Sequence, residues 1–151
     1  DVKDHPVCIC LSRQNLPVFE KEDPDWKNTI KTGAYIAKKS SDTPDVTVIA
    51  TGSEVSLAIE AAKLSKKNVR VVSVLDKATF EAQTEVLINT IIGGAKKVVV
   101  AEAGISQGWE GFATSKNDLF TINRFGTSAP GDVVAKALGL TAENLLNVIE
   151  S

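Results

Sequence analysis

Residues 45–64 read DVTVIATGSEVSLAIEAAKL, and the change of period inside this stretch decides the fold class. Val46, Val48 and Ile49 are β-branched and form a short apolar run of the kind buried in a sheet. The run ends at Thr51-Gly52, where glycine lets a chain leave a strand without a Cβ penalty. Val55, Ala58, Ile59 and Ala62 then recur at i, i+3, i+4 and i+7, the spacing of one helix face laid on a sheet. Thr51-Gly52-Ser53-Glu54 has capping-box spacing, which predicts that the Thr51 hydroxyl accepts from the Glu54 amide and the Glu54 carboxylate from the Thr51 amide. A strand, a small-residue turn and a helix N-terminus also form a minor candidate anion or nucleotide site at Thr51, Gly52 and Ser53. Against it, no G-x-G-x-x-G or G-x-x-x-x-G-K-S/T spacing is present, and Glu54 puts negative charge where the anion would sit.

The same alternation continues on both sides. Val69 to Leu75 reads as a second buried strand ended by Asp76, and Lys97 to Ala101 as a third. Between them, Phe80 to Ile92 predicts one helix with Val86, Ile88 and Ile91 inward, stopped by Gly93-Gly94. Three apolar strands separated by helices argue for a parallel α/β sheet. Gly33 to Lys38 is expected to form an edge strand and Ser40 to Pro44 a turn. Past Ala103-Gly104, a short helix around Trp109 as a buried anchor, a last strand over Leu119 to Phe125 and a turn at Gly126 to Pro130 are expected. Two helices close the chain: Asp132 to Leu138, ended by Gly139, and a Thr141-capped helix through Ile149.

The 151 residues suit one α/β domain with an appendage, and such a domain buries roughly 68–70% of its unfolded surface. A 43% apolar and 24% charged composition with net charge -2 offers no global basic field for nucleic acid or anionic lipid. No apolar run approaches the roughly 20 residues of a membrane helix, and Asp-Val-Lys-Asp-His-Pro is no signal peptide. The chain contains no methionine, which suggests a piece of a longer polypeptide.

Val7 to Leu11, VCICL, has the unbroken apolar character of a strand buried on both faces, and it gives way abruptly to Ser12-Arg13-Gln14-Asn15. A polar cluster at a strand's carboxyl end lies on the edge where α/β sheets bind ligands, so Arg13 is the first residue singled out for chemistry. Cys8 and Cys10, one residue apart on that strand, would face opposite ways and stay as free thiols of a reducing cytosol. Residues 17–32, with Pro17, Pro24 and clustered charge, read as a linker. His5 is the only histidine and is not expected to serve as a catalytic base or a phosphate ligand. Two such cysteines and one histidine close no zinc site. Asp76 and Glu102 end strands on the ligand edge, and the expectation for both is capping or a solvated turn. Gly131-Asp132 fits two positions of the Gly-Asp-Gly diphosphate motif of thiamine enzymes, but Val133 breaks it.

Leu11-Ser12-Arg13-Gln14-Asn15-Leu16-Pro17 resembles the end of the middle, pyrimidine-binding domain of transketolases. In order, Ala50-Thr51-Gly52-Ser53-Glu54-Val55, Glu102 with Gly108-Trp109, Arg124-Phe125-Gly126-Thr127-Ser128-Ala129-Pro130 and Leu138-Gly139-Leu140-Thr141 agree with the same family. The resemblance implies a three-layer α/β fold, a mixed, mostly parallel sheet with helices on both faces. It divides the chain into 1–17, the last strand and motif of the middle domain, 18–32, a linker, and 33–151, the C-terminal domain. The parent enzyme it implies is a cytoplasmic homodimer of the pentose phosphate pathway. That enzyme uses thiamine diphosphate and magnesium or calcium to move two-carbon ketol units between sugar phosphates. Cofactor and metal motifs lie outside this sequence, so the fragment is expected to hold none, to be inactive alone and to serve assembly or stability with the remaining domains. The family's phosphate-binding arginine falls on Arg13. Dihydroxyacetone synthase is a close alternative, whereas deoxyxylulose-phosphate synthase and 2-oxoacid dehydrogenases share the architecture but not the Ser-Arg-Gln-Asn-Leu-Pro run.

Overall fold

A computed structural model describes residues 6–151. Its centre is β2, Val46–Ala50, in which all five residues are buried. β2 pairs in parallel with β3, Val69–Val74, on one side and with β4, Lys97–Glu102, on the other. β1, Ala34–Lys38, adds antiparallel to β3, and the short β5, Leu119–Thr121, adds parallel to β4. The order β1-β3-β2-β4-β5 makes a mixed, mostly parallel sheet, as the resemblance implied.

A strand paired on both edges must also cover both faces, and the residues of β2 divide accordingly. Val46, Val48 and Ala50 join the apolar layer under α2, Glu54–Leu64, and α6, Ala142–Glu150, with Val55, Ala58, Leu145 and Ile149. Ile49 joins the opposite layer with Phe80 of α3, Lys77–Glu81, and Ile91 and Ile92 of α4, Glu85–Ile92. Thr47 turns its hydroxyl onto the Ile92 carbonyl at 2.6 Å, so a polar residue fits the buried strand at no hydrogen-bond cost. α6 is held at its end by Lys67, whose Nζ donates to the Ile149 carbonyl at 2.7 Å, and by Lys97, which donates to the Val148 carbonyl at 2.6 Å. As expected, Thr141 caps this helix, its Oγ1 accepting from the Asn144 amide.

Several expectations give way to local competition. The helix predicted over 80–92 is two, because Thr84 accepts from the Leu87 amide and starts α4 afresh. The new phase leaves Val86 77% exposed and turns Ile91 inward, with Ile88 packed at the margin. No helix forms around Trp109, which is nevertheless buried as an anchor beside Phe112, itself stacked on Phe80 with centroids 5.6 Å apart. β5 stops at Thr121, since the Ile122 amide bonds the Gly104 carbonyl and Asn123 accepts from the Ser106 amide. Residues 18–32 are packed: Phe19, Trp26 and Ile30 lie against the core, and residues 26–29 form a single helical turn, α1.

The largest difference lies at the start of the chain. Val7 to Leu11, expected as a buried strand, has no regular structure, and Val7, Ile9 and Leu11 are 62%, 77% and 86% exposed. The run has strand composition, but no strand among the described residues pairs with it. Cys8 and Cys10 are exposed free thiols, and His5 lies outside the described residues.

Gly33 precedes β1 with φ +91°, and an added Cβ would lie 2.3 Å from the Asp76 carbonyl oxygen and 2.6 Å from the Phe80 amide nitrogen. Gly52 also has positive φ, +46°, but open space around it. Gly52→Ala should therefore cost about 1–2 kcal/mol, the left-handed strain alone. Gly33→Ala should cost clearly more, because strain and a backbone clash add; urea unfolding of the two variants checks the order.

Candidate functional site

The chain leaves β2 toward β3 on one side and returns across it to β4 on the other, so the strand order reverses at the β2/β4 boundary. In open α/β sheets the crevice at such a switch point, outside the carboxyl ends of the strands, is the place where ligands bind. Here it holds a cavity of about 620 Å³. Ser53, Glu54 and Leu57 of the β2–α2 connection and α2 form one wall, and Ala103 to Ile105 after β4 form another. The third wall is α5, Gly131–Leu138, none of whose residues is buried. Ile122 and Arg124, Gln14 and Leu16 complete the lining.

The charged residues on the lining are Glu54, Asp132 and Arg124, and Glu102 stands just behind it, next to Ala103. Glu102 accepts from the Thr51 hydroxyl at 2.6 Å through Oε2 and from the Gly104 amide at 3.0 Å through Oε1. Glu54 is only 8% exposed and accepts from the Ser53 hydroxyl at 2.8 Å. Burial pushes the Glu54 carboxyl above the ordinary glutamate range, the Ser53 hydrogen bond opposes that shift and the nearby Glu102 charge adds to it. The predicted capping box is therefore not made. The Glu54 amide bonds the Thr51 carbonyl instead, and Ser53, at the N-cap, makes no side-chain cap. Strand register accounts for where the Thr51 hydroxyl goes: Ala50 pairs with Ala101, which brings Thr51 beside Glu102, a charged acceptor for its proton. With both hydroxyls donating to carboxylates, the Thr51, Gly52 and Ser53 turn is a poor cradle for an anion. Asp76, in contrast, caps α3 as expected, accepting from the Thr79 amide at 3.0 Å, and its hydrogen bonds to Thr79 hold its carboxyl below the ordinary range.

Arg13 is exposed and does not line the cavity, but its neighbours do. Gln14 lies against Gly131 at the start of α5, and Leu16 enters the crevice. The strand on which the strand-end argument placed Arg13 does not form, and of residues 12–15 only Gln14 lines the crevice at the carboxyl edge of the sheet. Arg124, which also lines the crevice, was not singled out for chemistry. Its motif was visible in the sequence, but its position depends on the turn away from β5. Among the described residues, no three of His, Cys, Asp and Glu are grouped to hold a metal ion.

A glutamate whose folded-state pKa is raised destabilises the fold when ionised, and stability is regained as pH falls through that pKa toward the ordinary value. Glu54→Gln keeps the acceptor for Ser53 and removes the charge. It should raise the melting temperature at pH 7, with the advantage shrinking as pH falls toward 4.5; scanning calorimetry at both ends of that range checks it.

Residues 33–141 match the family described as the transketolase-like TK C-terminal domain. A transketolase of Treponema pallidum (strain Nichols) is 54% identical over 95% of this chain, which corresponds to 22% of that protein. A transketolase of Bacillus subtilis (strain 168) is 39% identical over 98% of this chain and 23% of its own length. The chain thus spans less than a quarter of these curated relatives. Among solved structures, a transketolase from Leishmania mexicana superposes with TM-score 0.70 at 34% identity, over 80% of this chain and 18% of that one. A Pichia stipitis transketolase in complex with sedoheptulose 7-phosphate gives TM-score 0.77 at 30% identity, over 89% and 19%. With the sheet order, the flanking helices and these matches in agreement, the chain belongs to the transketolase C-terminal domain family.

Proposed function

We propose that this chain is the C-terminal part of a transketolase that moves two-carbon ketol units from ketose phosphates to aldose phosphates in the pentose phosphate pathway. The observation that carries the reading is the match to transketolases over nearly the whole chain, at 98% coverage inclusive of the Arg13 segment. The Pichia stipitis relatives captured with sedoheptulose 7-phosphate and fructose 6-phosphate support sugar phosphates as the substrate class. In this proposal residues 1–17 end the middle domain, 18–32 link, and 33–151 form the C-terminal domain of a cytoplasmic homodimer. The exposed apolar faces of Val7, Ile9 and Leu11 support the first boundary, since a strand of the preceding domain would have its own sheet to cover them.

Thiamine diphosphate and magnesium or calcium would supply the carbanion chemistry from the preceding domains. Among the described residues no cluster of His, Cys, Asp and Glu is grouped to hold the metal. What this chain contributes to the substrate is Arg13. A guanidinium meets a phosphate through charge-assisted, often bidentate bonds, and an exposed arginine at a domain edge can reach a substrate's phosphate end.

Such a bond is worth roughly 1.5–3 kcal/mol, so Arg13→Ala in the full-length polypeptide should raise KM for phosphorylated ketose donors by about 10- to 150-fold. Steady-state kinetics checks it, and an unchanged KM would remove Arg13 from the site. The 151-residue chain alone should show no ketol transfer in the same assay.

A further inference from the structure

Arg13 sits in a segment without regular structure, so no sheet ladder among the described residues fixes its place. The contacts that do are on either side of the next residue. Ser12 Oγ donates to the Gln14 carbonyl at 3.3 Å, Gln14 lies on α5, and Leu16 enters the crevice.

Gly131 is the first residue of α5, and its φ is not positive, so its backbone does not call for glycine. Space does. A Cβ at Gly131 would lie 2.5 Å from Gln14 Nε2, 3.1 Å from Cγ and 3.2 Å from Cδ. Successive atoms of the Gln14 side chain, and not its tip alone, occupy the volume that any other residue would fill. α5 buries none of its residues, so the crevice, with Gln14 and Leu16 on its lining, lies between this helix and the sheet edge.

We infer that Gln14, seated on Gly131, is a positioning residue for Arg13: the crevice wall of the C-terminal domain sets where the phosphate-binding guanidinium stands. The inference rests on the reading of Arg13 as the substrate-phosphate ligand. It assigns the C-terminal domain a part in substrate affinity through contact with the neighbouring segment. Small displacements of a fixed binding group weaken a bidentate contact steeply, whereas the fold barely depends on this contact, since Gln14 is exposed.

The test uses the full-length polypeptide with a phosphorylated ketose donor and the same ketose lacking its phosphate. Gly131→Ala should raise KM for the phosphorylated donor about tenfold, change KM for the unphosphorylated donor far less, and leave the melting temperature nearly unmoved. Gln14→Ala, which deletes the contact without crowding α5, should give the same split and decides the matter if Gly131→Ala fails to fold. In the Gln14→Ala background, Gly131→Ala should add nothing. In the 151-residue chain, Gly131→Ala should speed tryptic cleavage of the Arg13–Gln14 bond several-fold. If Arg13→Ala raises KM for the phosphorylated donor but neither Gly131→Ala nor Gln14→Ala does, this inference is overturned and the phosphate reading stands. Equal losses with both donors would also overturn it, as general disruption. If Arg13→Ala itself leaves KM unchanged, the phosphate reading fails and the inference fails with it.

Discussion

The parallel pairing of β2 on both edges is the constraint from which the rest of this structure follows. Val48 sits between Val71 and Val99, and Ala50 between Ser73 and Ala101. A parallel strand cannot be joined to its neighbour by a tight turn, so each connection must cross a face of the sheet. α2 takes one face and α3 with α4 the other, which covers both sides of a strand with no exposed residue. The same register carries the ends of β2 and β4 forward together. Thr51 therefore meets Glu102, and Glu54 is buried close to a second carboxylate. The electrostatics of the crevice are thus a consequence of strand pairing, not of the turn sequence by itself.

That difference explains what could be read from the sequence and what could not. The strand, turn and helix over residues 46–64 were legible because β-branched residues give way within a few positions to helical spacing. β1 and the Thr141-capped α6 were legible for similar reasons. The break inside the 80–92 stretch was not, because a threonine at position 84 restarts the helix and leaves Val86 in solvent, while Ile91 and Ile88 face the core as their spacing predicted. The hydroxyl of Thr51 was expected to accept from a local amide, that of Glu54, whereas in the assembled sheet it donates to a carboxylate from a neighbouring strand. Local rules fail here at the positions where a long-range partner is stronger than the local one.

Val7 to Leu11 shows the converse. Its composition is that of a strand buried on both faces, yet the chain leaves it uncovered. Burying a large aliphatic side chain is worth about 1.5–3 kcal/mol, so three of them in solvent are a substantial unfavourable exposure. The proposed boundary near residue 17 resolves the conflict: the segment obeys the pattern of one sheet while lying beside another. On that proposal Arg13 would stand between the two, with the preceding domain's sheet on one side and the Gln14 contact on the other.

The crevice itself is chemically unlike the ligand sites that this strand order usually builds. A phosphate or nucleotide at the switch point would face a desolvated Glu54, and the hydroxyls of Ser53 and Thr51 already donate to Glu54 and Glu102. Protonating Glu54 would relieve its own charge and leave the hydrogen bonds that Glu102 accepts from Thr51 and the Gly104 amide in place. What the crevice does accommodate is uncharged: the amide of Gln14 over the bare Cα of Gly131, and the aliphatic side chain of Leu16. A lining on which Glu54 and Asp132 stand with a single cation, Arg124, is compatible with a neutral segment of the same polypeptide. On the proposed reading, the carboxyl edge of the sheet would keep a place in function by holding Gln14, the neighbour of Arg13, while Arg13 itself is not on the lining.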